Sequence, residues 1–175
     1  MINERLNVVP LMKGIIKDKI IYEDGRIEVR EWEHNTIVND VAKLLTCLLK
    51  GQSGYKGISY WAIGSGLASW DTTTPAPTVN DTGCTTEIFR KAIPVANIKF
   101  ISDTGEVTSS PTKTIQIDLV FDKGEGTGTW REFSIFGGNA TTSPNSGLAI
   151  NHRTHGRIEK TATMVVERSM RFVFS

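Results

Sequence analysis

"TIQIDLVFD", residues 114–122, decides the fold. Ile115, Ile117, Leu119 and Phe121 occupy every second position, with Gln116, Asp118 and Asp122 on the alternate ones. A period of two is that of a half-buried strand, since a helix would bring apolar residues back every three to four positions. Val120 is the single apolar residue on the polar side. Moving toward the C-terminus, "TWREFSIFGG" (129–138) alternates as well, with Phe133 and Ile135 on one face and Trp130, Glu132, Ser134 and Phe136 on the other. Large residues on both faces predict a central strand. In the closing segment Ala162, Met164, Val166, Met170, Phe172 and Phe174 share one parity, and Arg168 interrupts their apolar face, which predicts a bulge there.

Moving the other way, "KGIIKDKIIYEDGRIEVREWEHN" (13–35) reads as a hairpin around Glu23–Arg26, where Asp-Gly supplies the positive backbone angles of a tight reversal. "ISYWAIGSG" (58–66) and "KAIPVANIKFIS" (91–102) are further strands, the second carrying Pro94, which cannot donate to a ladder and marks an edge or a strand end. One helix is evident. "NDVAKLLTCLLKG" (39–51) puts Val41, Leu44, Leu45, Leu48 and Leu49 on one face, with Asn39 or Asp40 to cap its start and Gly51 to stop it. Its leucine face must lie on a sheet or on a neighbouring subunit. One helix and about six to nine short strands predict a mainly β protein, an antiparallel β-sandwich with one amphipathic α-helix packed against it. Residues 1–33 are expected to form an N-terminal arm or hairpin of the same domain, and 34–175 the sandwich itself.

The chain has 175 residues, with 20 Lys and Arg against 19 Asp and Glu. So balanced a charge creates no broad field for phosphate backbones or anionic lipid, and neither nucleic acid nor membrane is an expected partner. The opening "MINERLNVVPLMKGII" has no signal-peptide pattern and no stretch approaches a membrane span, which predicts a chain made in the cytosol. Cys47, inside the helical pattern, is expected in the core, and no disulfide to Cys84 is expected.

The residues that could carry chemistry are few. Gly64-Ser65-Gly66 follows a strand but has Ser69 in place of a third glycine and no helix after it, so it is not a dinucleotide fingerprint. It also lacks the outer glycines of a nucleophile elbow. His152 and His155, three apart on a strand, point to opposite faces and cannot share a metal without a local turn. Asp122 and Glu125, among glycines, lack the spacing of a calcium loop. No metal and no cofactor is expected. Glu87 ("TTEIFRK") and Glu132 ("TWREFSIF") lie among apolar residues, where a carboxylate is costly unless paired; Arg90, Arg131 or Arg153 are the candidate partners. These are expected as buried ion pairs and not as catalytic acids. The chain is accordingly read as no enzyme.

Taken in order, "HNTIVND…LL" (34–45), "YWAIGSG" (60–66), "TTEIFRK" (85–91), "REFSIFGG" (131–138), "LAINHRTH" (148–155) and "MVVERSMRFVFS" (164–175) resemble a broad group of tailed-bacteriophage virion proteins, those of the tail, baseplate and fibre attachment. The matching positions are Ile63, Gly64, Gly66, Glu87, Arg90, Glu132, Ile135, Phe136, Leu148 and Arg153. Ser134 stands where the group often has Gly, and Cys84 where it often has Leu. The resemblance implies a building block of the virion, assembled in the host bacterial cytoplasm as a trimer or higher ring of itself against other virion proteins, with a host-surface glycan as a further candidate partner. A capsid decoration protein of the head is a second reading. A carbohydrate-binding sandwich using Trp61, Trp70 or Trp130 is a third.

Between two strands lies "GSGLASWDTTTPAPTVNDTG" (64–83). A tract so long without periodicity is ordinarily functional. Two readings stand side by side. In one it lies across an adjacent subunit, with Trp70 as anchor and Thr73, Pro75, Pro77 and Val79 in the contact. In the other its tryptophan folds back on its own domain. "GGNATTSPNSG" (137–147) reads as a polar hairpin tip.

Overall fold

A computed structural model describes residues 12–175. The chain forms β1 (Met12–Ile21), β2 (Ile27–Ile37), α1 (Asp40–Lys50), β3 (Lys56–Gly64), β4 (Glu87–Ala92), β5 (Ile98–Ile101), β6 (Val107–Thr108), β7 (Thr114–Phe121), β8 (Gly128–Gly138), β9 (Leu148–Lys160) and β10 (Val165–Phe174). All neighbouring strands pair antiparallel in the order β4-β3-β8-β9-β2-β1-β10-β7-β5-β6. The fold is mainly β, as the alternation predicts.

The ribbon folds over at β2. Its first part pairs with β1, from Ile27 opposite Ile21 to Asn35 opposite Gly14, while only Thr36 and Ile37 pair with β9. One layer is therefore β4-β3-β8-β9 and the other β1-β10-β7-β5-β6. Side chains from both meet between them. Trp61 of β3 stands edge-on to Phe121 of β7 at 6.2 Å, and Phe121 in turn meets Trp130 of β8 at 5.1 Å. Ile16, Ile20, Ile117, Leu119, Val166, Met170 and Phe172 complete this core. The hairpin turn is as expected, with Gly25 at φ 83° and the Tyr22 amide donating to the Arg26 carbonyl. A domain boundary at 33/34 falls inside β2, and residues 12–33 are central strands of the sandwich. Residues 1–11 of the expected arm lie outside the described residues.

Four local expectations are corrected. Arg168 makes no bulge: β10 runs in unbroken register with β1 and, from Val166 to Val173, with β7. Its side chain points into the core, where it meets Asp18 of β1. Trp130 shares the core with Phe133 and Ile135 and does not face outward with Glu132, because His155–Arg157 of β9 stand against the single Arg131 of β8 and the ladder turns at that irregularity. The stretch 91–102 is two strands, β4 ending before Pro94 and β5 starting in the other layer after a short 3-10 turn. Cys47 is only half-buried on α1, while Cys84 is buried; both are free thiols.

The helix ends at Gly51, left-handed at φ 69°, as its residue type predicts. Asn39 makes no side-chain cap. Leu44 is the buried residue of the face, and Leu49 is 89% exposed.

Candidate functional site

The long tract is held to the outer face of the β3-β8-β9 layer by one buried carboxylate. Glu132, on β8, is 0% exposed. Its Oε1 accepts the amides of Gly66 (3.1 Å) and Thr86 (2.9 Å); its Oε2 accepts the amide of Thr85 (2.9 Å) and pairs with His152 Nε2 (2.9 Å). Both ends of the loop thus converge on one side chain. The other nitrogen of His152, Nδ1, meets Asp81 Oδ2 at 2.7 Å, and Asp81 is also held by the amide and hydroxyl of Thr78.

Electrostatics follow from this geometry. Burial would raise the Glu132 carboxyl, but the hydrogen bonds from His152 and the Thr86 and Thr85 amides outweigh it and hold the group below the ordinary carboxylate range. Burial likewise works against a charged His152, yet hydrogen bonds to Glu132 and Asp81 and their charges hold it above 6.5. Asp81 is lowered: its partial burial is outweighed by bonds from His152 and Thr78.

Glycine is required beside the carboxylate. A Cβ on Gly64 would sit 2.4 Å from Glu132 Oε1, and Gly66, at φ +60°, carries the Trp70 ring where its Cβ would be. Trp70 is 8% exposed. In the single chain the tryptophan folds back on its own domain, the second of the two readings. Thr73, Pro75 and Val79 are exposed and Pro77 half-buried. Arg131 fastens the start of the loop, donating to the Ser65 carbonyl at 2.9 Å and pairing with Asp71. Beneath the loop Val38, Ala62, Cys84, Phe136 and Ala149 form a second small core.

The second loop is held the same way. Glu87 and Arg90 form a bidentate pair at 2.7 and 2.8 Å with both side chains at most 3% exposed. Arg90 donates to the carbonyls of Ser146 (2.9 Å) and Thr141 (3.1 Å), and Glu87 accepts the Asn145 amide (2.7 Å). Three apart on a regular strand, the two would face opposite ways; the register shift against Ile63 and Gly64 brings them together. The tract 137–147 is therefore fastened at its middle, which corrects its reading as a simple tip.

Of the expected ion pairs, Glu87–Arg90 forms. Glu132 takes His152 and backbone amides in place of an arginine, and Arg153 pairs with Glu33 and the His34 carbonyl. His152 and Asp81 have no local signal: they lie 71 residues apart, and only the outward parity of His152 and Glu132 points to their meeting. His152 and His155 do diverge. His155 Nε2 accepts from Arg168 (3.2 Å) while Nδ1 donates to the Gly156 carbonyl (2.8 Å), and burial with the charges of Arg168, Arg30 and Arg153 holds it well below 6.5.

Three of the hollows among the described residues border these groups or the helix. One of about 500 Å³ lies between the loop and β9, walled by Trp70, Pro75, Asp81, Cys84, His152 and Thr154. A cleft of about 350 Å³ opens where β2 and β9 part, lined by Asp18, Arg30, Glu33, Phe133, Arg153 and His155. The third, about 230 Å³ and almost wholly apolar, runs between α1 and the end of the sandwich. Among the described residues no cluster of three or more His, Cys, Asp or Glu is placed to hold a metal ion, and no helix is long and apolar enough to cross a membrane. Trp61 and Trp130 are 0% exposed, so with Trp70 buried none of the three offers a sugar platform.

Comparison with protein-family models, curated proteins and solved structures finds no match. Chemically, the Glu132–His152–Asp81 series is a clamp. Both oxygens of Glu132 accept two hydrogen bonds each and both ring nitrogens of His152 are engaged, so the series ties the loop to β8 and β9.

Proposed function

We propose that this protein is a non-enzymatic structural component of a phage particle, assembling as a homo-oligomer in the tail, baseplate or fibre attachment. The order of short motifs from 34 to 175 supports the reading, and the residues that carry it turn out to have structural work: Gly64, Gly66 and Glu132 seat one loop, Glu87 and Arg90 the other. A block whose loops are set rigidly presents one fixed outline to its neighbours.

The observation that carries self-association is the end of α1. Leu49 is 89% and Leu48 39% exposed, and Leu48 lines an apolar groove together with Val41, Leu44, Leu45 and Ile58. Apolar surface left exposed beside an apolar groove marks a contact site. Light scattering on the purified chain tests this. A trimer or higher ring that Leu49→Asp dissociates supports the proposal; a single copy at every concentration up to the solubility limit contradicts it.

A further inference from the structure

The loop has two kinds of anchor, and they respond differently to protons. Its ends, Gly66 and Thr85–Thr86, hang on Glu132 through backbone amides, which do not titrate in this range. Its middle is held at the rim by Thr154 on the Pro75 carbonyl and by Asn39 on Val79 and Asn80. In the interior it is held by Asp81 on His152. Both ring nitrogens of His152 face carboxylate oxygens, at 2.7 and 2.9 Å. Only an imidazolium donates to both, because a neutral ring carries one N–H.

The fate of that single proton is decided by burial. Glu132 is fully enclosed, and an enclosed charge left facing a lone pair is far costlier than one at the surface, so the remaining N–H stays on Nε2. Nδ1 then presents a lone pair to Asp81, whose side chain is 28% exposed and can turn to water. The charged groups facing His152 are Glu132 from β8 and Asp81 from the loop; Thr36 of β2 and Ser134 of β8, in register with it, are uncharged. The Cys84 thiol lies beside Ser134 and Glu132. Arg153 reaches to Glu33 and away from the ring.

We propose that residues 72–83 are a strap locked by the doubly protonated His152: loss of one proton from the ring releases Asp81 and lifts the strap, while Gly66, Thr85 and Thr86 stay on Glu132. Lifting opens the hollow over Cys84 and bares the small core of Ala62, Phe136 and Ala149. The raised affinity of His152 for its proton places the change on the alkaline side of an ordinary histidine.

Hydrogen exchange of the whole chain across neutral to alkaline pH, divided by the intrinsic exchange rate at each pH, tests this. Protection of amides 78–84 is expected to fall by up to about tenfold per pH unit above the ordinary histidine range, where the closed strap still holds the proton that the open one has lost, and to level off once the closed form loses it too. Protection of Thr85, Thr86 and β7 should stay level. Asp81→Asn and His152→Gln should each give low protection at 78–84 with no pH dependence. A pH-independent protection factor in the unaltered chain, a fall shared equally by β7, or an unchanged slope in Asp81→Asn would each overturn the proposal; the first two need no variant.

Discussion

Asp18 and Arg168, 150 residues apart in the chain, form an ion pair inside the sandwich, with Nε–Oδ1 at 2.9 Å and Nη2–Oδ2 at 3.0 Å. Arg168 is 1% exposed and its guanidinium lies about equally over Trp130 (5.0 Å) and Phe133 (4.9 Å). The Nε approach is too oblique to count as a hydrogen bond, so the pair is held by one good bond, charge proximity and two aromatic faces.

A buried charge without its partner is far worse than no charge. Arg168→Met, which strands Asp18, is expected to cost about 3–5 kcal/mol, and the double change Asp18→Leu with Arg168→Met to recover most of that. Denaturant unfolding of both variants measures it.

At Gly64 the space for a side chain is already taken by Glu132. Gly64→Ala is expected to destabilise by about 1–3 kcal/mol through forced displacement of that carboxylate. The loss should appear together with faster exchange at Gly66, Thr85 and Thr86, whose amides depend on it.

Arg90→Lys keeps the charge but not the fork that serves Glu87 and the second loop at once. Limited proteolysis should then cut within 139–147 at a concentration of protease that leaves the unaltered chain intact. Equal resistance would show that the loop does not depend on the pair.

Stability should fall on both sides of neutrality, for separate reasons. Glu132 and Asp81 are lowered, so their contribution is present above the ordinary carboxylate range and lost as pH falls through their depressed values. His152 is raised, so its contribution is complete below 6.5 and lost as pH rises through its folded value. His155 is lowered, so the unfolded chain binds its proton more readily and stability drops as pH falls through 6.5. His155→Gln should flatten the slope just below neutrality, and His152→Gln the slope above it, in denaturant midpoints measured across pH.

Much of the architecture was legible because strands with one face buried advertise it. Ile115, Ile117, Leu119 and Phe121 alternate with only Val120 out of pattern, and the Asp-Gly turn and the leucine helix with its terminal glycine were readable from local chemistry. What escaped were the places where a bulge changes parity. Trp130 depends on an irregularity set by the partner strand, which leaves no mark on its own stretch, and so does the bulge that brings the expected Glu87–Arg90 pair together. Arg168 misled for another reason: a charge in an apolar series signals either a break or a buried partner, and Asp18 lies 150 residues away. The buried carboxylates were found from their apolar surroundings, but the true partner of Glu132 was reachable only through tertiary pairing.

The proposed role in a phage particle is tested most directly by quantitative mass spectrometry of particles purified from a host that encodes the chain. The account predicts the protein in a fixed copy number that is a multiple of the particle's local symmetry. Its absence from intact particles, with the protein free in the lysate, would contradict it.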